Sequence, residues 1–164
     1  MEEYTTKDGR VLDMTTPEGL RALRVEIAKR LGWRVERRQP DWSAEDVQYV
    51  VLLDPEGKDR EWESLYSDEV EENDLTRAEG ELWIEAMYID YEECDATLPD
   101  WPADANAALG LVTGEAFALD FYNGNGFWSA AIGTNPGGAF DGAPTPALAI
   151  CLAWLAYKDA EATP

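Results

Sequence analysis

The chain contains no histidine, and its 13 lysines and arginines are outnumbered by 34 aspartates and glutamates. Without imidazole there is no Ser-His-Asp triad, no histidine general base and no zinc site that needs a histidine ligand. Carboxylate, phenol, hydroxyl, amine and two thiols are what remain for chemistry. The shortage of cations leaves a net charge of −21. That excludes general affinity for nucleic acid or for an anionic membrane, since both surfaces repel a polyanion. Cys94 and Cys151 are too few for a disulfide framework. Cys151 falls in an apolar helical run where a buried free thiol is expected, so a reducing compartment fits best. No basic start precedes an apolar stretch, and no run reaches the roughly 18 apolar residues of a membrane span. The expectation is a soluble, cytoplasmic protein without membrane association.

Apolar side chains are plentiful. Hydrophobic residues make up 45% of the 164 and seven are tryptophan, enough to build one core and to exclude wholesale disorder. The reading is a single domain over 1–164, with a short tail at 160–164. Charge is unevenly placed. Residues 1–40 sum to +2, residues 41–100 to −18 and residues 101–164 to −5.

Thr16 and Pro17 read as N-cap and first helical residue, with Leu20, Leu23, Ile27 and Leu31 on one stripe and Gly32 as the stop. Arg21, Arg24 and Lys29 fall on the other face. Trp33 to Arg37 suits an edge strand, and Gln48 to Leu53 a central strand covered on both sides. Asp54 to Gly57 reads as a turn, and Arg60 to Tyr66 as a third strand. Residues 67–97 form an acidic insertion with one strand in 82–91. Pro99 and Pro102 bracket Trp101 and lead into a helix carrying Asp104, Ala107, Ala108, Leu111 and Val112.

The clearest local signal is FALDFY, then Asn123 to Gly126, then FWSAAI: a hairpin in which Tyr122 pairs with Phe127. That register puts Phe117, Leu119, Phe121, Trp128, Ala130 and Ile132 on an apolar core face. Ala118, Asp120, Tyr122, Phe127, Ser129 and Ala131 share a mixed second face, expected to pack beneath a helix. Gly133 to Pro144 reads as a Gly- and Pro-rich loop. Thr145-Pro146 then opens a helix whose stripe is Leu148, Cys151, Leu152 and Leu155, with Ala149, Ala153 and Ala156 permitting close approach to a sheet. The fold class is therefore α/β: a three-layer α-β-α sandwich, mainly antiparallel, with flanking helices and an acidic insertion.

Three stretches resemble the phage ABA sandwich domain family: LRVEIAKRLGW (23–33), LPDWPADANAALGLV (98–112) and APTPALAICLAWLAYKDA (143–160). The resemblance covers both ends and the middle of the chain but not the acidic insertion. It implies an α-β-α fold and a phage or prophage origin, hence the host cell cytoplasm. It supplies no catalytic residues, so an accessory role rests on analogy.

The acidic block supports three readings. It is a solvated surface that maintains solubility. Alternatively, Asp68, Glu69, Glu71, Glu72, Asp74, Glu79, Glu81, Asp90, Glu92, Glu93 and Asp95 imitate the phosphate charge of DNA and engage a basic host or phage protein. Or Asp90, Glu92, Glu93 and Asp95 hold a divalent cation, although no twelve-residue calcium loop is present and no metal is expected. Uneven placement favours the basic partner, as in host takeover or anti-defence. The competing class is a protein that sequesters a nucleotide-type small molecule on Asp120, Tyr122, Phe127 and Ser129, with Arg34 and Arg37 among the arginines meeting phosphate. A virion structural or assembly protein is the third. Asn123 to Gly126 and Gly133 to Gly138 lack the spacing of phosphate-binding loops and read as turn and loop. Paired carboxylates could support glycoside hydrolysis, but among 34 acids some pair always looks suggestive, so the expectation is no enzyme and no cofactor. Trp42, Trp62 and Trp101 are candidate interface anchors or core.

Overall fold

The computed structural model describes residues 3–38, 49–58, 76, 79–80, 82, 98–122, 124–134 and 137–162. Among them are three helices and three small antiparallel sheets, a mixed α/β architecture compatible with a sandwich. The chain divides into two compact units, 1–27 with 99–164 and 28–98. The expected strands at 60–66 and 82–91, and Trp42 and Trp62, lie outside the described residues, Leu82 excepted.

The first unit opens with a short hairpin, β1 (Glu3–Thr5) and β2 (Val11–Asp13), in which Tyr4 pairs with Leu12. The sequence reading missed it because three-residue strands leave almost no periodicity. Asp8-Gly9 was the available signal, and Gly9 indeed turns with φ +87°. Helix α1 (Pro17–Leu31) follows, and Thr16 Oγ1 accepts the Gly19 N–H at 3.0 Å, as its N-cap position requires. Leu23 and Ile27 are fully buried as expected, Leu20 and Leu31 only half. Val25 and Ala28 are buried too, so the apolar face is wider than the stripe.

Helix α2 (Ala105–Leu111) is capped by Asp104, whose carboxylate accepts from the Asn106 and Ala107 N–H groups. Trp101 just before it is core. Strands β5 (Phe117–Tyr122), β6 (Phe127–Ile132) and β7 (Gly138–Ala143) form one antiparallel sheet in that order. The hairpin register is the expected one, Tyr122 opposite Phe127 and Asp120 opposite Ser129. Strand β7 corrects the reading of Gly133 to Pro144 as a loop. Its glycines mark close packing and a bulge rather than irregular chain. Gly138 lies directly against helix α3 (Pro146–Glu161), and Gly142, with φ +95°, is the extra residue where the register shifts beside Trp128 and Ser129.

Helix α3 packs across β6 and β7, with α2 alongside. Thr145 caps it, accepting from the Leu148 N–H at 3.2 Å, and Pro146 occupies N1. It is buried from Ala147 to Leu155 on every side, so it is a central helix rather than an amphipathic cover. Burial pushes the Cys151 thiol well above its ordinary pKa, with the charge of Asp100 adding to the shift.

In the second unit α1 ends in a Schellman motif. Trp33 N–H donates to the Ala28 carbonyl at 2.9 Å and Gly32, at φ +98°, donates to Lys29. Strands β3 (Arg34–Arg38) and β4 (Tyr49–Leu53) pair antiparallel, Arg34 opposite Leu53. Val51, Leu52 and Leu53 are buried in succession, the pattern of a strand covered on both faces, as expected. The turn at Asp54 is also as expected. Its carboxylate accepts the Glu56 and Lys58 N–H groups, and Gly57 takes φ +82°.

Candidate functional site

Strand pleat and register put three rows of side chains on the face of the β5–β6–β7 sheet opposite α3. Ala118, Ala131 and Ala139 form one row, Asp120, Ser129 and Asp141 the next, and Tyr122 with Phe127 the last. The alanines are exposed and small, so they leave a depression that the longer side chains border. An open concavity of about 310 Å3 results, lined by Asp120 and Tyr122 from β5, Ser129 to Ala131 from β6, and Ala139 to Asp141 from β7. Phe127 stands beside the lining. Expected to pack beneath a helix, this face is instead exposed, with Tyr122 at 52% and Phe127 at 37% accessibility.

The apolar face beneath is only partly core. Ala130 and Ile132 are buried; Phe117, Leu119 and Trp128 are half-buried. Phe121 was expected inside and is 47% exposed. It lies on the outer strand near the turn, away from the strands that α3 covers, and its ring rests on Trp128 with centroids 4.8 Å apart. The hairpin tip therefore presents aromatic surface on both faces.

Ser129 Oγ donates to Asp141 Oδ1 at 2.5 Å, which orients that carboxylate. The Asp120 carboxylate makes no hydrogen bond or ion pair among the described residues. No lysine, arginine or histidine occurs between Arg77 and Lys158, so all three strands are without a cation. Asp141 is the site residue that the sequence reading missed. Reading β7 as a loop removed the strand that carries it.

The remaining candidates are placed less completely. Arg34 and Arg37 are three positions apart on β3, an odd separation, and thus point to opposite faces of it. Arg34 pairs with Glu36 at 3.1 Å; Arg37 pairs with Glu79 and donates to Thr76 Oγ1 at 3.3 Å. Both guanidinium groups are engaged by neighbouring carboxylates. In the first unit Arg24 donates to the Pro99 carbonyl at 3.3 Å. Of the acidic block only Glu79 is described. Asp68, Glu69, Glu71, Glu72, Asp74, Glu81, Asp90, Glu92, Glu93 and Asp95 lie outside the described residues. Among the described residues, no three carboxylates or thiols are placed to hold a metal ion, and no helix is long and apolar enough to cross a membrane.

Two further polar clusters are structural in character. The Thr6 hydroxyl, 3% exposed, donates to Asp8 and accepts the Arg10 N–H at 3.0 Å, and Arg10 pairs with Asp8 and Glu26. Hydrogen bonding from Thr6 holds the Asp8 carboxyl below its ordinary pKa, with Arg10 assisting. At the end of α3, Tyr157 donates to Glu115 at 3.2 Å, and Lys158 pairs with Glu161 at 2.9 Å. The Tyr157 phenol is pushed up to about 12 by the Glu161 carboxylate, by burial and by Glu115.

No family model, no curated protein and no solved structure matches the chain.

Proposed function

We propose that this protein is a phage or prophage accessory protein of the ABA sandwich kind, an α-β-α sandwich that acts by binding in the host cell cytoplasm rather than by catalysis. Its partner is a basic host or phage protein, engaged through an anionic surface that competes with DNA for it. Such a role suits host takeover or anti-defence. The observation that carries this reading is the distribution of charge. Residues 41–100 hold −18 of the total −21 while residues 1–40 hold +2, a polarity that a uniform solubility bias would not create. The described sheet face adds to it, since Asp120 and Asp141 lie there with exposed aromatic rings and no cation. Such a surface attracts basic proteins and raises their rate of encounter.

The alternative, capture of a nucleotide-type ligand, needs donors for phosphate. The concavity offers two carboxylates instead, and Arg34 and Arg37 are paired with Glu36 and Glu79.

Affinity purification of the tagged chain from infected-cell lysate tests the proposal, with a variant whose acids from Asp68 to Asp95 become Ser and Asn. A basic protein that copurifies with the wild type and is absent with the variant supports it. Equal recovery with both reduces the acidic block to a solvated surface.

A further inference from the structure

We infer that the outer face of the β5–β6–β7 sheet is itself a docking surface for an arginine-bearing segment of a basic partner protein, whose guanidinium groups pair with Asp120 and Asp141 against the rings of Tyr122 and Phe127. This rests on the proposal that the partner is basic, and it names where and how that partner is gripped.

Charge complementarity selects the occupant. Asp120 and Asp141 belong to the two outer strands at the same level of the sheet, so their backbones are two strand spacings, about 10 Å, apart. With no basic residue between Arg77 and Lys158, no cation from these strands neutralises them. The Asp141 carboxylate is oriented by Ser129, while the Asp120 carboxylate has no partner among the described residues. The rings of Tyr122 and Phe127 are exposed in the adjoining row, where a planar guanidinium can stack while donating to carboxylate. Lysine meets the charge but not the plane.

Openness selects a protein segment over a small molecule. A ligand pocket encloses most of its ligand, whereas this concavity of about 310 Å3 is a trough on an exposed face. The tip aromatics, Phe121 included, extend the apolar surface beyond the trough, as expected where a larger body docks around a few anchors. A phosphate-bearing ligand is disfavoured by both carboxylates.

The test is an NMR titration of the 15N-labelled full chain with the capped peptide Gly-Arg-Ala-Arg-Gly, at about 0.15 M salt, where distant charges are screened. Parallel arms use AMP and the acid-block variant. Shift changes are expected on β5, β6 and β7, retained in the acid-block variant. The double variant Asp120→Asn, Asp141→Asn should raise the apparent Kd for these amides by about tenfold, since two exposed charge pairs are removed. Tyr122→Ser, at an exposed position, is the second variant should the double one lose its spectral dispersion, and it is expected to weaken binding in the same direction. Peptide shifts confined to residues outside the sheet overturn this inference while leaving the acidic-surface proposal standing. No shifts anywhere overturn both. Stronger shifts of the sheet with AMP than with the peptide overturn the choice of ligand.

Discussion

The backbone nitrogen of Tyr157 occupies the space that a Cβ on Gly138 would need, and the Ala153 carbonyl closes the same space from the preceding turn of α3. Strand β7 thus lies on the helix backbone to backbone. A side chain there must push the strand away from a helix that is buried on every side from Ala147 to Leu155. Gly138→Ala is expected to destabilise by about 1–3 kcal/mol through overpacking. Gly110→Ala is the control of opposite sign. Gly110 is a helical residue with open space around it, so the substitution should stabilise by about 0.5–1 kcal/mol. Thermal unfolding of the two variants separates the effects.

Tyr157 makes a prediction at alkaline pH. Its folded pKa, about 12, lies above the ordinary 10.0, so the folded state favours the protonated phenol. The stabilisation is complete below pH 10 and is lost as the pH rises from 10 towards 12. Spectrophotometric titration at alkaline pH should show one phenol titrating late in the wild type, and that late phase should vanish in Tyr157→Phe. Its persistence in the variant would assign it to another of the seven tyrosines.

How much of this was legible in the sequence depends on whether a local rule or a tertiary one decides each element. Thr16-Pro17 and Thr145-Pro146 cap their helices because capping is a property of adjacent residues. Tyr122 faces Phe127 because the Asn-Gly turn and the alternation agree on one register. Strand β7 was illegible because Gly138 is chosen by a helix backbone distant in sequence, and glycine alone signals loop as readily as close packing. Phe121 was assigned to the core on alternation, which identifies a face but not how far a covering helix extends. The candidate site was accordingly half visible: Asp120, Tyr122, Phe127 and Ser129 followed from the hairpin, and Asp141 required the third strand.

At acid pH the sign reverses. Hydrogen bonds from Thr6 to Asp8, from Thr15 to Asp13 and from Lys158 to Glu161 hold these carboxyls below their ordinary values. Their contribution is present above pH 4 to 4.5 and is lost as the pH falls through the lowered values. Thr6→Val removes the donor to Asp8 and the acceptor for the Arg10 N–H from a buried position. It should cost about 1–3 kcal/mol at neutral pH and raise the Asp8 titration midpoint observed by NMR.

Cys151 is buried and its thiol is held protonated. In a Cys94→Ser background, a thiol-disulfide reagent should leave Cys151 unlabelled in native buffer and label it fully in denaturant. Rapid native labelling would mean that α3 opens readily.

The central claim is that an anionic surface grips a basic partner, and the ionic-strength dependence of that complex tests it most directly. With the captured partner purified, the Kd should rise by at least about tenfold between about 0.05 M and 0.3 M salt, since exposed charge pairs are screened over that range. An affinity unchanged across the range would contradict the account and place the binding energy in an apolar or enclosed contact.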